Sequence, residues 1–268
     1  MSTPMAWPAS SEPEQSGTAV LESEWDPPPT HLVAPRGTVH VWRASLDPPA
    51  HHVERLQDVL SDAERIRAGQ FFFERDRTRS IAARGLLRVI LGRYLAIPPD
   101  HLRFHSGVTG KPVLSVSQAK GIEFSVSHSH GLVLYAVTCD RRIGIDVERV
   151  RAVVNCAGVP GRVFSPREHA VFRALPLDQQ RAAFFRAWTR KEACSKAWGQ
   201  GLSCPLGRID VSLAPFEPGR PLSIDGDPEA SARWSLQDVA PAPGFVAALA
   251  TEGGDALPLS CMQWPVWL

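Results

Sequence analysis

The hydrophobic and polar positions of the chain follow two different periods, and these predict both strands and helices. Residues 38–42 alternate between apolar and polar side chains, as in a strand with one buried face. The same period of two runs through 124–127 and 143–148, and the continuous apolar run 132–137 lies between them. We therefore predict a strand at each of these four segments.

Two segments with helical periodicity begin at a capping box, in which a Ser cap is followed three residues later by Glu. Ser61 and Glu64 form the first box, which predicts a helix that runs into Phe71–Phe73, and Ser165 and Glu168 form the second. The second box also carries a proline at the first helical position, which favours a helix start. Each box predicts a short helix that leads into a longer, more basic one.

The two longer helices are predicted at about 77–95 and within 184–202, where glycines at 199 and 201 end the second helix. The order capping box, helix, aromatic pair and basic helix thus occurs at 61–95 and again at 165–198. This repetition indicates an internal duplication. We predict a mixed α/β (α+β) fold, made of a pseudo-twofold pair of similar α/β subdomains with the active site between them.

Composition along the chain sets the expected boundaries. Residues 1–36 are rich in Pro, Ser and Glu and lack periodicity, which predicts a disordered extension without a packed core. The N-terminal half is placed at 37–140 and the C-terminal half at 141–252. The tail, 253–268, carries two tryptophans that we expect to pack back onto the body.

Overall composition argues against several classes of protein. The net charge is +1, so the whole molecule shows no preference for nucleic acid or for a membrane surface. The five cysteines show no C-x-x-C spacing, which argues against a disulfide framework and favours a reducing, cytoplasmic setting. The longest clean apolar run is far too short to span a membrane, and the N-terminus lacks the pattern of a secretory signal.

Two acidic residues share one face of the strand at 143–148. The period of two turns the isoleucines and the valine toward the core and places Gly144, Asp146 and Glu148 on the opposite face. The two carboxylates repel each other, and no Lys or Arg alternates between them. A hard divalent cation such as Mg²⁺ would resolve this repulsion, and Gly144 would leave room close to the backbone. The alternative is an ordinary solvated strand face.

Glu192 is a third acid in an unusual position. It shares one helical stripe with Phe185, Trp188 and Ser195. A carboxylate that faces the core must be paired, hydrogen-bonded or bound to a metal, because a lone buried charge is very costly. The alternative to a metal role is a salt bridge along the helix to Lys196, four residues on.

Basic residues suggest an anion nearby, although solvated surface would also explain them. Arginines at 75, 77 and 79 crowd the start of a helix, where positive charge opposes the macrodipole. Lys111 is not part of a P-loop, because Pro112 stands where that motif needs Ser or Thr, but a turn could present it to an anion. His128 and His130 end a strand and lack an evident third zinc ligand, so a phosphate contact or a plain hydrogen bond is favoured.

In combination, these motifs resemble the 4'-phosphopantetheinyl transferases in order and spacing, over roughly 38–250. The motifs are Gly110-Lys-Pro112, Ser127-His-Ser129, Gly144-Ile-Asp-Val-Glu148 and Trp188-Thr-Arg-Lys-Glu-Ala-Cys-Ser-Lys196, followed by Gly199-Gln-Gly-Leu202. The resemblance is to the longer, internally duplicated type that activates peptide and polyketide synthetases. It implies transfer of the phosphopantetheine arm of coenzyme A to a serine of an apo carrier protein, with release of adenosine 3',5'-bisphosphate.

The resemblance also implies roles for individual residues. Asp146, Glu148 and Glu192 would bind Mg²⁺, or Mn²⁺, bridging the diphosphate, and Glu192 is the candidate base for the serine. Lys196 would act beside it on the leaving phosphate, and Glu64 stands where relatives can carry a basic residue. The residues implied to bind coenzyme A are Arg67, Arg79, Ser80, Lys111, Pro112, Ser127, His128, Lys191 and Lys196.

The expected partners are coenzyme A and an apo acyl or peptidyl carrier protein or domain, with a monomeric enzyme. Arg141, Arg142 and the segment 150–164 are candidate docking sites for an acidic carrier helix. Two other functions stay open at this point. One is a carrier-binding paralogue without activity, and the other is a magnesium-dependent hydrolase of nucleotides or diphosphates.

Overall fold

The computed structural model describes residues 24–107, 112–151, 163–199, 205–213 and 219–265. The elements of the N-terminal half are β1 (Val39–Ser45), α1 (Ala50–Asp58), α2 (Asp62–Gly69), α3 (Glu74–Leu95), β2 (Phe104–Ser106), β3 (Pro112–Leu114), α4 (Val116–Ala119), β4 (Ile122–Ser129) and β5 (Leu132–Cys139). The elements that follow are β6 (Ile143–Arg149), α5 (Pro166–Ala174), α6 (Leu177–Trp198), β7 (Ile209–Val211), β8 (Pro221–Ile224), α7 (Pro228–Ser231), β9 (Trp234–Val239), β10 (Phe245–Glu252) and β11 (Leu259–Gln263).

The topology of the first half is repeated in the second. The first sheet contains the order β1-β5-β4 and the second has β6-β10-β9. In each half, the strand that comes first along the chain pairs with the strand that ends the half, β1 with β5 and β6 with β10. A small hairpin follows the long helix in both halves, β2-β3 in one and β7-β8 in the other. The long helices α3 and α6 each have 22 residues. The predicted mixed α/β fold with two similar halves is confirmed.

Helix ends largely follow the local signals in the sequence. Both capping boxes form, with the Ser side chain and the Glu side chain each accepting a backbone N–H of the other residue. Gly199 ends α6 with a left-handed φ of 76°. The helix after the first box stops at Gly69 and does not reach Phe71. No helix in the described ranges is long and apolar enough to cross a membrane.

The apolar side chains form a core in each half and a third cluster that the halves share. The N-terminal core lies between α3 and its sheet, and the C-terminal core lies between α6 and its sheet. The shared cluster combines residues of both sheets, among them Val41 of β1, Leu134 of β5 and Ile145 of β6. The two sheets therefore pack against each other on their inner faces and carry the long helices on their outer faces.

The tail packs on the body as predicted, whereas the predicted N-terminal extension needs correction. Strand β11, in the tail, pairs in parallel with β1 and so extends the sheet of the N-terminal half. Trp264 packs against the N-terminal core as expected, whereas Trp267 lies outside the described residues. Trp25 donates a hydrogen bond to the Ala240 carbonyl at 3.0 Å and packs against the shared cluster. Residues 24–36 are thus no unpacked extension, and 1–23 lie outside the described ranges.

Candidate active site

The site lies where strand β4 of the first half runs beside strand β6 of the second. The two strands belong to different sheets, and serine side chains bridge them. Ser125, Ser127 and Ser129 recur at every second position of β4, so they share one face. Their hydroxyl oxygens accept the backbone N–H groups of residues 145, 147 and 149 on β6, at 3.1, 3.3 and 3.2 Å.

Asp146 is buried between the halves and keeps one oxygen free of hydrogen bonds. Its Oδ1 accepts a hydrogen bond from the Ser127 hydroxyl at 2.8 Å and another from Lys196 Nζ at 2.7 Å. Its Oδ2 is buried and has no partner among the described residues. Because a buried carboxylate oxygen without a partner is costly, this atom marks a place for a cation or a hydrogen-bond donor.

Lys196 links the long helix α6 to strand β6. Its ammonium group also donates to the Ile145 carbonyl at 3.1 Å, so it reaches across to β6. Its ion pair with Asp146 therefore joins two elements, and its charge also lowers the pKa of Glu192 on its own helix. A solvated strand face is excluded, since only 5% of Asp146 is exposed.

Glu148 and Glu192 complete a group of acids whose charges interact. Burial raises the pKa of the Glu192 carboxyl, the negative charge of Asp146 raises it further, and Lys196 acts in the opposite direction. Burial also raises the pKa of Glu148, while a 2.8 Å hydrogen bond from the Ser129 hydroxyl counteracts this effect. The structure thus brings the three predicted acids into one electrostatic cluster in which Lys196 is a neighbouring cation.

Gly144 allows the long helix to approach these acids. A Cβ atom added at this position would lie 2.0 Å from the Ala193 carbonyl oxygen and 2.5 Å from the Ala197 nitrogen, both in α6. The space that the sequence suggested beside the backbone is therefore filled by the helix itself. The glycine brings α6, which carries Glu192, against the strand that carries the other two acids.

The donor chemistry of the acid cluster fits a hard divalent cation. Carboxylate oxygens are the ligands that Mg²⁺ and Mn²⁺ prefer, and a cation would relieve the repulsion that adds to the effect of burial on the pKa values of Glu148 and Glu192. As the side chains stand, no three His, Cys, Asp or Glu residues of the described ranges are arranged to hold a metal ion. The three acids therefore supply suitable oxygens and one unpartnered buried atom, but not a closed ligand set.

Two adjoining cavities lie on the side of the N-terminal half. The larger one has a volume of about 1190 Å³ and a basic wall that includes Arg67, Arg84 and Arg88. The smaller one, of about 450 Å³, is lined by Arg79 and His128 among others. The residues common to both linings are Ser80, Arg84 and Pro112. Together the cavities form a basic groove beside the serine strand, which suits an extended anionic ligand.

His128 connects this groove with the acid cluster. Desolvation within the groove lowers the pKa of the ring, and the charges of Lys196 and then Arg79 lower it further. A neutral ring that can donate or accept a hydrogen bond is therefore favoured. The zinc alternative has no support among the described residues, where no group of three ligands surrounds His128 or His130.

Several cations of the groove already have anionic partners in the protein. Arg79 makes a two-pronged ion pair with Asp47, at 2.7 and 2.8 Å. Glu64 accepts hydrogen bonds from both Arg84 and Arg88. Neither of these two arginines was predicted from the sequence. The helical spacing of 80, 84 and 88, which places them on one face with Ser80, is the signal that could have found them.

Comparisons with known proteins identify the family of the chain. Residues 142–250 match the family described as "4'-phosphopantetheinyl transferase superfamily", and residues 44–140 match "4'-phosphopantetheinyl transferase, N-terminal". The 4'-phosphopantetheinyl transferase HetI of Nostoc sp. is 39% identical over 235 residues, which cover 87% of this chain and 96% of HetI. This chain belongs to the 4'-phosphopantetheinyl transferase family. It is therefore a transferase, and the resemblance seen in its motifs is confirmed.

More distant relatives of the transferase match shorter stretches. The 4'-phosphopantetheinyl transferase psf-1 of Bacillus pumilus is 32% identical over 60% of this chain and 67% of its own length. The human L-aminoadipate-semialdehyde dehydrogenase-phosphopantetheinyl transferase is 29% identical over 59% of this chain and 54% of its own.

One predicted ligand contact of the transferase is wrong. Lys191 is fully buried, and its ammonium group donates to the Glu168 carboxylate, to the Val163 carbonyl at 2.6 Å and to the Leu206 carbonyl at 3.1 Å. Since it lies one residue before Glu192, it points about 100° away around the helix. An ammonium group with three buried acceptors is not available to bind a phosphate of coenzyme A.

Other predicted positions fall outside what can be described. Lys111 and most of the docking segment 150–164 lie outside the described residues. The other docking candidates are both held by the protein itself. Arg141 donates to the Glu252 carbonyl at 3.3 Å, and Arg142 pairs with the Glu252 carboxylate at 3.5 Å and lies over the ring of Trp234. Ser129 is a residue that the sequence analysis assigned no role, although its place two residues after Ser127 on an alternating strand was a sufficient signal.

Proposed function

We propose that this transferase moves the 4'-phosphopantetheine arm of coenzyme A onto a serine of an apo acyl or peptidyl carrier protein and releases adenosine 3',5'-bisphosphate. The observation that carries the proposal is the acid cluster of Asp146, Glu148 and Glu192, next to a basic groove. This combination suits a ligand with several phosphate groups, one end of which reacts beside the acids.

The groove supports a binding mode for coenzyme A. Arg67 and Ser80 of the larger cavity are suited to hold the 3'-phosphate, with Arg84 at the passage between the two cavities. His128 of the smaller cavity would donate a hydrogen bond to the diphosphate on its way to the acids. Arg79 would also contact a phosphate, but its ion pair with Asp47 already neutralises part of its charge and so weakens this contact.

In the proposed reaction, the carrier serine oxygen forms a bond to the phosphorus that bears pantetheine. The bond from that phosphorus to the bridging oxygen of the diphosphate breaks, and the bisphosphate leaves. Glu192 would accept the serine proton, directly or through water, and its raised pKa makes it a stronger base than an exposed Glu. Such a base typically contributes about 10²–10⁴-fold to the rate.

Asp146, Glu148 and Glu192 would hold Mg²⁺, or Mn²⁺, which when bound neutralises charge on the diphosphate. The Lys196 ammonium lies 2.7 Å from Asp146, one of the acids at which the diphosphate would bind. Lys196 would therefore supply further positive charge at the leaving phosphate.

The compartment and the oligomeric state are part of the same proposal. Cys139, Cys194 and Cys261 are buried and form no disulfide among the described residues, which supports a reducing, cytoplasmic setting. The internal duplication brings the two halves together within one chain, which supports a monomer.

The test is a mass-shift assay with coenzyme A, Mg²⁺ and a panel of apo acyl and peptidyl carrier proteins. We expect the wild-type protein to add the phosphopantetheine arm to a carrier, and Asp146→Asn and Glu192→Gln to reduce the rate at least ~10²-fold while staying folded. Cleavage of coenzyme A without a carrier would favour a hydrolase instead. Full turnover by Glu192→Gln would remove that residue from the mechanism.

A further inference from the structure

The serine strand makes the same contact three times, but only two of the three serines also hold an acid. Ser125, Ser127 and Ser129 are all buried, with between 1% and 7% of each residue exposed. Each accepts one backbone N–H of β6. A serine hydroxyl has one donor and two acceptor sites, so each serine keeps a hydrogen to donate.

The three bonded N–H groups belong to residues 145, 147 and 149 of β6. The residue before each of them decides whether the serine hydroxyl has a side chain to donate to. Before 147 and 149 this preceding residue is an acid. Ser127 donates to Asp146 Oδ1 and Ser129 donates to Glu148 Oε2, both at 2.8 Å. Before 145 it is Gly144, which has no side chain to receive a hydrogen bond. Ser125 therefore repeats the backbone contact without the carboxylate contact.

We propose that Ser127 and Ser129 are positioning residues of the transferase, which hold Asp146 and Glu148 in the orientation that binds the divalent cation. The inference rests on the proposed function, since it assigns these two acids to a cation. It gives the hydroxyl of Ser127 a role that differs from direct binding of coenzyme A. It also assigns Ser129 to the active site.

The geometry explains how a serine can present a ligand atom. Two donors, Ser127 and Lys196, hold Asp146 Oδ1, so the carboxylate cannot rotate without losing both hydrogen bonds. The second oxygen, Oδ2, is thereby held in a buried position without a partner of its own in the described chain. Ser129 donates to Glu148 Oε2 at 2.8 Å, and His130 Nδ1 lies 3.1 Å from the same hydroxyl.

The arrangement also divides the site between the two halves. The acids are carried by β6 of the second half, whereas the hydroxyls that orient them come from β4 of the first half. Groups that orient a metal ligand through hydrogen bonds typically change metal affinity by about 10–100-fold when they are removed. The N-terminal half would therefore set the affinity of a cation bound by the C-terminal half.

The experiment measures binding of Mn²⁺ alone, by electron paramagnetic resonance of the free ion, to the full-length protein. Ser127→Ala and Ser129→Ala are each expected to weaken binding about 10–100-fold. Ser125→Ala is the matched control, because it removes an N–H acceptor from the same strand and leaves the acids untouched. We expect its Mn²⁺ affinity to equal that of wild type, with a loss of thermal stability similar to that of the other two variants.

Two further measurements separate positioning from a general loss of structure. Ser127→Thr and Ser129→Thr retain the hydroxyl and are expected to recover most of the Mn²⁺ affinity. In the carrier assay, the two alanine variants are expected to regain turnover at high Mn²⁺, with an unchanged KM for coenzyme A.

The outcomes distinguish this inference from the proposed function. Equal Mn²⁺ affinity in wild type, Ser127→Ala and Ser129→Ala would overturn the inference and leave the proposed transfer reaction standing. Equal losses in all three alanine variants would also overturn it, since Ser125 holds no acid. A wild-type protein that transfers the arm but shows no affinity for Mn²⁺ or Mg²⁺ would overturn the role of the cation and the inference together.

Discussion

Lys191 and Lys196 lie on the same helix, but their ammonium groups have different surroundings. Lys191 and its partner Glu168 are 0% and 1% exposed, whereas the Lys196 side chain is 24% exposed at the edge of the site. Glu168 also accepts the backbone N–H groups of Ser165 and Val211, at 2.8 Å each. The buried pair therefore joins the start of α5, the middle of α6 and strand β7.

The first prediction follows from this burial. Lys191→Ala leaves the Glu168 charge without its cation, which should lower the free energy of unfolding by about 3–5 kcal/mol, measured by urea denaturation. Lys196→Ala is the control and should lose transfer activity with a smaller loss of stability. A Lys191→Ala protein with wild-type stability and a raised KM for coenzyme A would restore Lys191 as a ligand contact.

The second prediction concerns the contact between strand and helix at Gly144. Gly144→Ala places a methyl group 2.0 Å from a backbone oxygen of α6, so the helix must shift. Overpacking of this kind typically costs about 1–3 kcal/mol, and the shift should also move Glu192 and reduce turnover. Gly69→Ala is the control, because nothing lies within 4 Å of an added Cβ there. Equal melting temperatures for the two variants would contradict this account.

At the scale of elements, the two capping boxes allow a direct comparison of equivalent positions. Ser61 and Ser165 each accept the N–H of the Glu at the third helical position, and that Glu accepts the Ser N–H in return. The third prediction is that Ser61→Ala and Ser165→Ala each lower the free energy of unfolding by about 0.5–2 kcal/mol. Thermal or urea unfolding checks it, and a neutral effect at both positions would show that the boxes contribute nothing.

The aromatic segment after the first helix shows why element ends are hard to predict. The first capping box predicts a helix that runs into Phe71–Phe73, but Phe73 takes an extended conformation, with φ −86° and ψ 133°, and precedes a new helix at Glu74. The side chain of Phe72 is 90% exposed, so apolar character did not indicate burial there. Local pattern alone does not report which apolar residues meet a core.

At the scale of the whole molecule, stability should depend on pH through the acid cluster. Burial raises the pKa of Glu148 and of Glu192 above the ordinary value of about 4.3. The folded protein then holds protons that the unfolded chain has released, so this contribution to stability is full below about pH 4.3 and is lost as pH rises through the raised values. A bound cation favours the ionised carboxylates and opposes this loss.

The fourth prediction combines these two effects. The rise in melting temperature on adding Mg²⁺ should increase as the pH is raised from about 5 to 7.5, because protons compete with the cation for Glu148 and Glu192. Differential scanning fluorimetry at several pH values, with and without Mg²⁺, measures it. The double variant Glu148→Gln/Glu192→Gln should show no such increase. A Mg²⁺ effect that is independent of pH would contradict the assignment.

Much of the site could be inferred from the sequence because its residues lie on regular elements. Period-two alternation placed Asp146 and Glu148 on one strand face, and helical spacing placed Glu192 on a stripe toward the core. The same reasoning did not show that Lys191 turns to Glu168 or that Arg79 pairs with Asp47. Those partners are distant along the chain, and no local period reports a contact across the fold.

By itself, the sequence determined the alternation of strands, the helix starts at two capping boxes, the left-handed stop at Gly199 and the duplication of the whole pattern. These features depend on backbone geometry and on hydrogen bonds within a few residues. Only the tertiary structure decided that α6 packs directly against Gly144, that β11 pairs with the first sheet and that serines of one half donate hydrogen bonds to the acids of the other. Those outcomes depend on which surfaces meet, and packing between distant segments settles that.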